Sequence, residues 1–283
     1  MSTSTLQCNE AALDQWTDSA RFEVTRERLV EYAKATNDQI AAHRRGDVAP
    51  PVFAIVPVFQ SLLEPALEVV PLPVLGKVLH GEQDFRFHRP IRPGDTLVSR
   101  GKMTGFEGLP NGTRCCTYLE TRDEDGELVV EQYVTSFIRG FDDGRRIGQL
   151  SPEHRLDASI KQNPPVAEFL QHIDSDQTFR YSPASGDPMP IHLDQQVARD
   201  AGLPGIIAHG FCVLAFTSWG IIQALGGEDV SRLKRLAVRF SRPVLPNQDI
   251  HTRAWPTGPD CYGFETTAAG AVVLRDGLAE IAG

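Results

Sequence analysis

The sequence lacks the features that would tie it to a membrane or to a disulfide framework. No apolar run approaches the roughly 18–20 residues that span a bilayer. The start has no basic segment followed by an apolar one, as a signal peptide would. The five cysteines are scattered without a CxxC pair, which favours a reducing compartment. We therefore predict a cytoplasmic protein with no membrane partner.

Positive charge is also scarce. The 283 residues carry 28 Lys and Arg against 37 Asp and Glu, a net charge of −9. This excess of negative charge disfavours nucleic acid as a partner. With 41% hydrophobic and 23% charged residues, the chain has the composition of a soluble globular protein of one large domain or two ordinary ones.

One spacing of Tyr, Asp and His occurs twice. YAKATNDQIAAH begins at Tyr32 and YSPASGDPMPIH at Tyr181, 149 residues later. Further on, FHRPIRPGDTL from Phe87 and FSRPVLPNQDI from Phe240 align 153 residues apart. Because the two offsets differ by only four residues, the chain reads as a duplication with a small insertion.

The order of element signals is the same in both halves. Thr25 is typical of a helix N-cap, whereas Pro183 predicts that the corresponding second helix is short or broken before Ser182. A helix-length apolar run follows in each half, and the second should end at Gly226. Strand-like segments come next, with hairpin turns at DEDGE and PTGPD.

This order predicts an α+β fold in two repeats. The stretch FDDGRRIGQLSPEHRLDASIKQNPPVAEF is polar and shows no periodicity. We therefore place an N-terminal domain at residues 1–140, a linker at 141–165 and a C-terminal domain at 166–283.

The loop SGDPMPIHLD offers acid–base chemistry. Asp187 and His192 lie five residues apart on a segment stiffened by prolines, so a carboxylate and an imidazole converge on one small volume. Downstream, Gly210 opens an apolar helix, and the free N–H groups at such an end stabilise an oxyanion.

Other roles for these residues stay open on the sequence. Asp in Gly-Asp-Pro is commonly a turn residue, and a single His near a core is commonly just hydrogen-bonded. His192-Leu193-Asp194 also presents alternating metal ligands. Since no third and fourth ligand cluster with them in the sequence, we predict no metal.

The whole second-half motif, YSPASGDPMPIHLDQQVARDAGLPGIIAHGF, resembles the signature of the MaoC-like dehydratases and (R)-specific enoyl-CoA hydratases (hydratase 2). VLHGEQDFRFHRPIRPGDTL is similar to the first half of the double-hotdog members. The resemblance implies a double hotdog, in which a curved antiparallel sheet wraps one long central helix in each repeat.

The resemblance also implies an activity: reversible syn addition of water to a trans-2-enoyl thioester, giving the (3R)-3-hydroxyacyl form, without a cofactor. Asp187 would hold and activate water, His192 would share in proton transfer, and the Gly210 N–H would receive the thioester oxygen. Met189 stands where the family has Asn, which puts the rate or the preferred substrate in question. Association into a homodimer is implied as well.

The first copy is predicted to be inactive. Gly and Pro around its Asp38 and His43 are replaced, and an alignment of the helix entries places Ile55 opposite Gly210. We interpret Asp38 and His43 as relics or surface residues, and the first half as accommodating the acyl chain, as the family resemblance implies.

Weaker substrate-binding candidates complete the predicted site. Phe53 could line an acyl tunnel, and a CoA substrate needs cations for its phosphates. The candidates are His209, Met189, His80, Gly81, Arg239, Arg242 and Phe53.

Two other functions compete with hydration. A hotdog thioesterase would also use a carboxylate near a helix N-terminus, but it would normally lack the G-D-x-x-P-x-H block. The other alternative is a protein that binds acyl thioesters without catalysis. The replacement of the family Asn by Met189 would indicate this loss of activity.

Overall fold

The computed structural model describes residues 6–283, which form two compact units. Unit 1 comprises the chain up to Phe22 with Pro57–Phe85 and Leu97–Glu153, and unit 2 comprises Glu23–Val56, Arg86–Thr96 and His154–Gly283. The units therefore cut across the duplication, because residues 23–56 of the first half pack with the second half. As domain boundaries, 1–140, 141–165 and 166–283 stay a prediction.

Unit 1 is built on an antiparallel sheet with the strand order β1-β3-β4-β5-β2. The strands are β1 (Ala20–Glu23), β2 (Val78–Phe87), β3 (Thr96–Leu109), β4 (Gly112–Arg122), β5 (Leu128–Arg139) and the short β6 (Arg146–Gly148), which pairs with β3. The predicted DEDGE hairpin joins β4 to β5, where Gly126 adopts a left-handed φ of 83°.

Unit 2 repeats this plan with the strand order β8-β11-β10-β9-β7. Its strands are β7 (Ala167–Ile173), β8 (Leu233–Phe240), β9 (Gln248–Gly258), β10 (Cys261–Ala268) and β11 (Ala271–Ile281). The predicted PTGPD turn joins β9 to β10, with Asp260 at a φ of 53°. Both sheets are antiparallel, so the predicted α+β class is confirmed.

Six α-helices accompany the sheets within residues 6–283. They are α1 (Arg26–Ala35), α2 (Ala41–Arg44), α3 (Phe59–Val69), α4 (Gln177–Ser185), α5 (Gln195–Asp200) and α6 (Gly210–Leu225), and a 3₁₀ helix over Pro51–Val58 leads into α3. As predicted, the Thr25 side chain caps α1 by accepting from Arg28 N, and Gly226 ends α6.

Helix α6 is the core of unit 2. Every residue from Phe211 to Ile222 is buried, as its all-round apolar sequence predicts. Gln171 on β7 donates to the Phe216 carbonyl at 2.7 Å. A Cβ at Gly220 would lie 2.3 Å from the Phe169 ring, so glycine there allows the helix to approach β7.

Two sequence expectations are wrong in detail. Helix α4 is not broken before Ser182 but runs through Pro183 to Ser185, although the proline removes the hydrogen bond to Phe179 O. The stretch Pro51–Val69 is long and apolar enough to cross a membrane, and 56% of its apolar window is buried inside the structure; Gln60, Ser61 and Glu64 divide it into shorter apolar runs in the sequence. The segment 141–165 contains strand β6, and its role as a linker stays a prediction.

Candidate active site

A tight turn after α4 presents Asp187. Gly186 ends the helix in the left-handed conformation (φ 77°), which glycine adopts without strain. The Ser182 hydroxyl donates to the Asp187 carbonyl at 2.7 Å, and Asp187 Oδ1 accepts from Met189 N at 3.0 Å. These bonds fix the loop while leaving Oδ2 of Asp187 for other partners.

The imidazole of His192 faces the same space. Its Nδ1 donates to the Ile207 carbonyl at 2.8 Å. Because a carbonyl oxygen can only accept, Nδ1 carries the proton and Nε2 keeps its lone pair. The ring is therefore arranged as a base at Nε2.

A second imidazole, His209, packs against the first. The two rings stack with centroids 3.8 Å apart and planes 27° apart. His209 Nε2 donates to the Asp187 carbonyl at 3.3 Å, and its buried Nδ1 has no hydrogen-bond partner among residues 6–283. His209 thus contacts both members of the predicted pair.

Gly210 begins α6 directly after His209. The first N–H groups of a helix have no partner within it, so this end is a donor site for an anion. A Cβ at Gly210 would lie 3.2 Å from the Phe240 ring, which shows how closely β8 approaches the helix start.

Burial dominates the electrostatics of the site. It raises the pKa of the Asp187 carboxyl and lowers the pKa of His192, in both cases by disfavouring the charged form. The His209 pKa falls to about 3 through burial and the neighbouring His192. Both imidazoles are therefore neutral near pH 7, which suits proton transfer.

The first copy pairs its residues differently. His43 Nδ1 donates to Asp38 Oδ2 at 2.7 Å, and both side chains are fully buried. Asp38 Oδ1 also accepts from Ile40 N at 2.8 Å. The interpretation of these two as surface residues is wrong: they bond to one another in the core, whereas Nδ1 of His192 bonds to a backbone carbonyl and Oδ2 of Asp187 stays available.

Comparisons with known proteins agree with this geometry. A model of the MaoC-like domain matches residues 156–274, and a model of the FAS1-like dehydratase domain region matches residues 11–132. The 3-hydroxyacyl-thioester dehydratase Y of Mycobacterium tuberculosis is 30% identical over 72% of this chain and 72% of its own length. The chain belongs to the MaoC-like dehydratase family.

Other members of the family extend the likeness. Enoyl-CoA hydratase 2, peroxisomal, of Arabidopsis thaliana is 28% identical, over 76% of this chain and 73% of its own. The crystal structure of a MaoC-like dehydratase from Phytophthora capsici superposes with a TM-score of 0.84 at 25% identity, covering 96% of both chains. A Mycobacterium tuberculosis protein described as a double hotdog matches in fold (TM-score 0.59, 12% identity, 94% of both chains). The predicted double hotdog is confirmed.

Backbone pairing places the first-copy counterpart of Gly210 at Pro51. Ala208 N donates to Val244 O at 2.8 Å, and Ala49 N donates to Ile91 O at 2.9 Å. Val244 and Ile91 are aligned in the duplicated strand motif, so Ala49 corresponds to Ala208 and Pro51 to Gly210. The alignment of Ile55 with Gly210 is therefore wrong, because it allowed for only six of the ten extra residues around α5. Proline has no N–H, so the first copy has no backbone donor at the position of Gly210.

The weaker substrate-binding candidates lie in different parts of the structure. His209 and Met189 lie at the site, the latter with a half-exposed side chain. Phe53 is fully buried and packs edge-to-face on Tyr32. His80 and Gly81 lie on β2, in unit 1, where His80 Nε2 bonds to Glu82 O at 3.1 Å and burial lowers the His80 pKa to about 4. Their contact with substrate stays a prediction.

The two predicted arginines lie on and just after β8. Arg239 lies on the strand, paired in register with Arg275 of β11, and Arg242 follows its end. Arg242 lines an open cleft of about 540 Å³ together with Lys161 and Arg275. Arg242 thus lies two residues after Phe240, whose ring approaches Gly210.

The site also has the residue types of a metal centre. Asp187, His192 and His209 each bring one potential ligand atom to within 4.8 Å of the others. Imidazole lone pairs lie in the ring plane, and rings stacked 27° apart direct them side by side rather than toward a common point. Asp194, the other sequence candidate, instead caps α5 through Gln196 N and Val197 N. No metal stays our prediction.

Sequence reasoning assigned no role to Tyr181 or to the Ile207 carbonyl. The Tyr181 ring lies 5.0 Å from that of His209, and Ile207 sets the tautomer of His192. The repeated Tyr of the two motifs is a signal that could have found the first. A backbone acceptor leaves no mark in a sequence.

Replacing His209 is expected to make the protein less sensitive to acid. His209 has a pKa of about 3 when folded and about 6.5 when unfolded, so the unfolded chain binds the extra proton between these values. Stability is therefore lost as pH falls from about 6.5 toward 3, by up to about 1.4 kcal/mol per pH unit from this group. Urea unfolding from pH 7 to 5 should give a shallower dependence for His209→Gln. His251→Gln removes an exposed imidazole as the control, and equal slopes for wild type and His209→Gln would contradict the prediction.

Proposed function

We propose that the chain interconverts trans-2-enoyl thioesters and (3R)-3-hydroxyacyl thioesters by reversible addition of water. One observation carries the proposal: a partly buried carboxylate, a neutral imidazole with its Nε2 lone pair available and the N-terminus of α6 converge in one site. The family supports the same reaction, because the relatives compared above are named for hydration or dehydration of acyl thioesters.

Each residue has a role in that reaction. A water bound between Asp187 and Nε2 of His192 gives a proton to the Asp187 carboxylate as its oxygen bonds to C3. The negative charge that moves to the thioester oxygen is stabilised by the Gly210 N–H and the positive end of α6. The Asp187 acid then returns a proton to C2, and because both additions come from one side, the outcome is syn. The raised pKa of Asp187 helps it hold the proton between these steps.

For the carrier, we propose coenzyme A. The cleft lined by Lys161, Arg242 and Arg275 offers cations for phosphates, although Glu265 pairs with Lys161 at 2.7 Å and Asp276 also lines it. Arg242 has no ion-pair partner among the residues described, which leaves its guanidinium for a phosphate oxygen.

We further propose that the protein is a cytoplasmic homodimer. Strand β7 is the outer strand of the unit 2 sheet, and Val166 and Leu170 expose apolar surface there. A second copy that pairs along this edge would cover the outer backbone groups of β7 together with those side chains. Light scattering after size exclusion gives the mass directly.

The decisive experiment is to follow enoyl absorbance with trans-2-enoyl-CoAs of short, medium and long chain. Loss of absorbance with a (3R) product supports the proposed function and sizes the acyl site. Release of free CoA without hydration would instead indicate a thioesterase. Binding without turnover would indicate an acyl-thioester binder and direct attention to Met189.

Arg242→Ala is expected to raise KM for enoyl-CoA by about 3–10-fold, because a partly exposed charge-assisted bond to phosphate is lost. The kcat should stay near that of wild type. An enoyl-N-acetylcysteamine thioester lacks the phosphates, so its KM should not change. Arg139→Ala, which removes an exposed arginine of unit 1, is the matched control. An equal rise in KM for both substrates would contradict the phosphate role.

A further inference from the structure

The first copy is joined to the catalytic copy at the end of α1. The last carbonyls of a helix have no partner within it, and here second-copy side chains supply the donors. These bonds run from Gln177 Nε2 to Ala35 O, from Arg180 Nη1 to Lys34 O and from Trp219 Nε1 to Thr36 O. Gln177 and Arg180 belong to α4, which ends at the loop that carries Asp187. Their hydrogen bonds therefore fix α4 to the end of α1.

Closest to the site, two duplicated tyrosines meet. Tyr32 and Tyr181 are the first residues of the two motifs, and their hydroxyl oxygens lie 3.1 Å apart. Both side chains are at most 1% exposed, and their rings pack edge-on at 5.6 Å. A buried hydroxyl needs a partner, and each of these finds the other.

From Tyr181 the contacts continue into the active site. Its ring lies 5.0 Å from His209, which stacks on His192 at 3.8 Å. His209 also donates to the Asp187 carbonyl and immediately precedes Gly210. His209 therefore contacts Asp187 and His192 and is bonded to Gly210, and the Tyr181 ring packs against its imidazole.

We propose that Tyr32, from the copy without chemistry, is a positioning residue for the enoyl-thioester reaction: its hydroxyl fixes Tyr181, and the Tyr181 ring fixes His209. This rests on the proposed function. The first copy then contributes to catalysis through its packing, although its own Asp38 and His43 bond to each other. Tyr32 touches none of the reacting atoms.

Stability and positioning can be separated with three variants. Tyr32→Phe leaves the Tyr181 hydroxyl buried without its partner, and Tyr181→Phe does the reverse, so each should lower Tm. Tyr32→Phe/Tyr181→Phe removes both hydroxyls and leaves neither unpaired, so Tm should return toward that of wild type. The positional constraint on His209 is lost in all three.

The proposal is tested by enoyl-CoA hydration kinetics with Tm for each variant, together with the ring ¹⁵N signals of His192 and His209. We expect kcat to fall by about 10-fold in the double variant, with KM little changed, because a small displacement of catalytic groups is costly. The ¹⁵N signals of both histidines should shift. Tyr118→Phe, which removes a hydroxyl bond to Glu131 in unit 1, is the control and should keep the kcat of wild type.

Different results would overturn different statements. A double variant with the kcat and histidine signals of wild type would make the Tyr pair purely structural and leave the proposed function standing. A fall in kcat that only follows Tm, and is absent from the double variant, would do the same. If the wild type hydrates no enoyl-CoA, the proposed function fails, and the role of Tyr32 fails with it.

Discussion

Asp187→Asn is expected to lower kcat for enoyl-CoA hydration by roughly 10²–10⁴-fold, the usual contribution of a positioned acid–base group. Asparagine has the same shape, and its oxygen can still accept from Met189 N, so the loop should keep its conformation. What is lost is the ability to take a proton from water and return it to C2. Kinetics with trans-2-enoyl-CoA, beside circular dichroism to check the fold, measures the effect.

The duplication supplies the matched control. Asp38→Asn makes the same chemical change in the first copy, where the buried Asp38 carboxylate is bonded to His43. We expect kcat close to that of wild type but a lower Tm, since a buried pair is disturbed. A comparable loss of kcat in both variants would mean that Asp187→Asn acts through the fold and would contradict its role in proton transfer.

Gly210→Pro is expected to lower kcat by roughly 10²–10³-fold, the typical effect of removing one oxyanion donor. Proline deletes the backbone N–H, which no other substitution does, and it fits the first position of a helix. The preceding His209 has φ −59° and ψ 134°, the extended conformation that a residue before proline prefers. The variant copies what the first half carries at Pro51.

Gly210→Ala separates the missing N–H from added bulk. Its Cβ would lie 3.2 Å from Phe240, so the ring must move by a few tenths of an ångström, but the N–H remains. We expect Gly210→Ala to retain most of the activity that Gly210→Pro loses. If both variants lose activity alike, crowding at Phe240 explains the effect and the oxyanion role of Gly210 is contradicted.

Much of this architecture is predictable because local chemistry determines it. Thr25 caps α1 through its own side chain, Gly226 ends α6, and Gly126 turns the DEDGE hairpin through a left-handed backbone, so their positions in the structure follow from residue type. The convergence of Asp187 and His192 follows similarly from a short loop rich in proline. Repetition of the motif revealed the duplication.

Contacts between distant segments were less predictable. The helix α4 passes through Pro183 because tertiary packing outweighs a local preference. The interpretation of Asp38 and His43 as surface residues fails because polarity alone does not show that two groups bond to each other in a core. The counterpart of Gly210 was misplaced because the extra residues around α5 shift the alignment, and only the bonds of Ala49 and Ala208 restore it.

Pro51 has a consequence for how the two copies change over time. Replacing Pro51 would restore an N–H, but His43 would remain bonded to Asp38. In the second copy, a segment that includes α5 brings the Ile207 carbonyl to His192, and the described residues of the first copy contain no helix equivalent to α5. Catalysis there would need several simultaneous changes, each without benefit alone. The predicted inactivity of the first half would therefore not be reversed by replacing Pro51 alone, and we expect one reaction centre in each 31.2 kDa polypeptide.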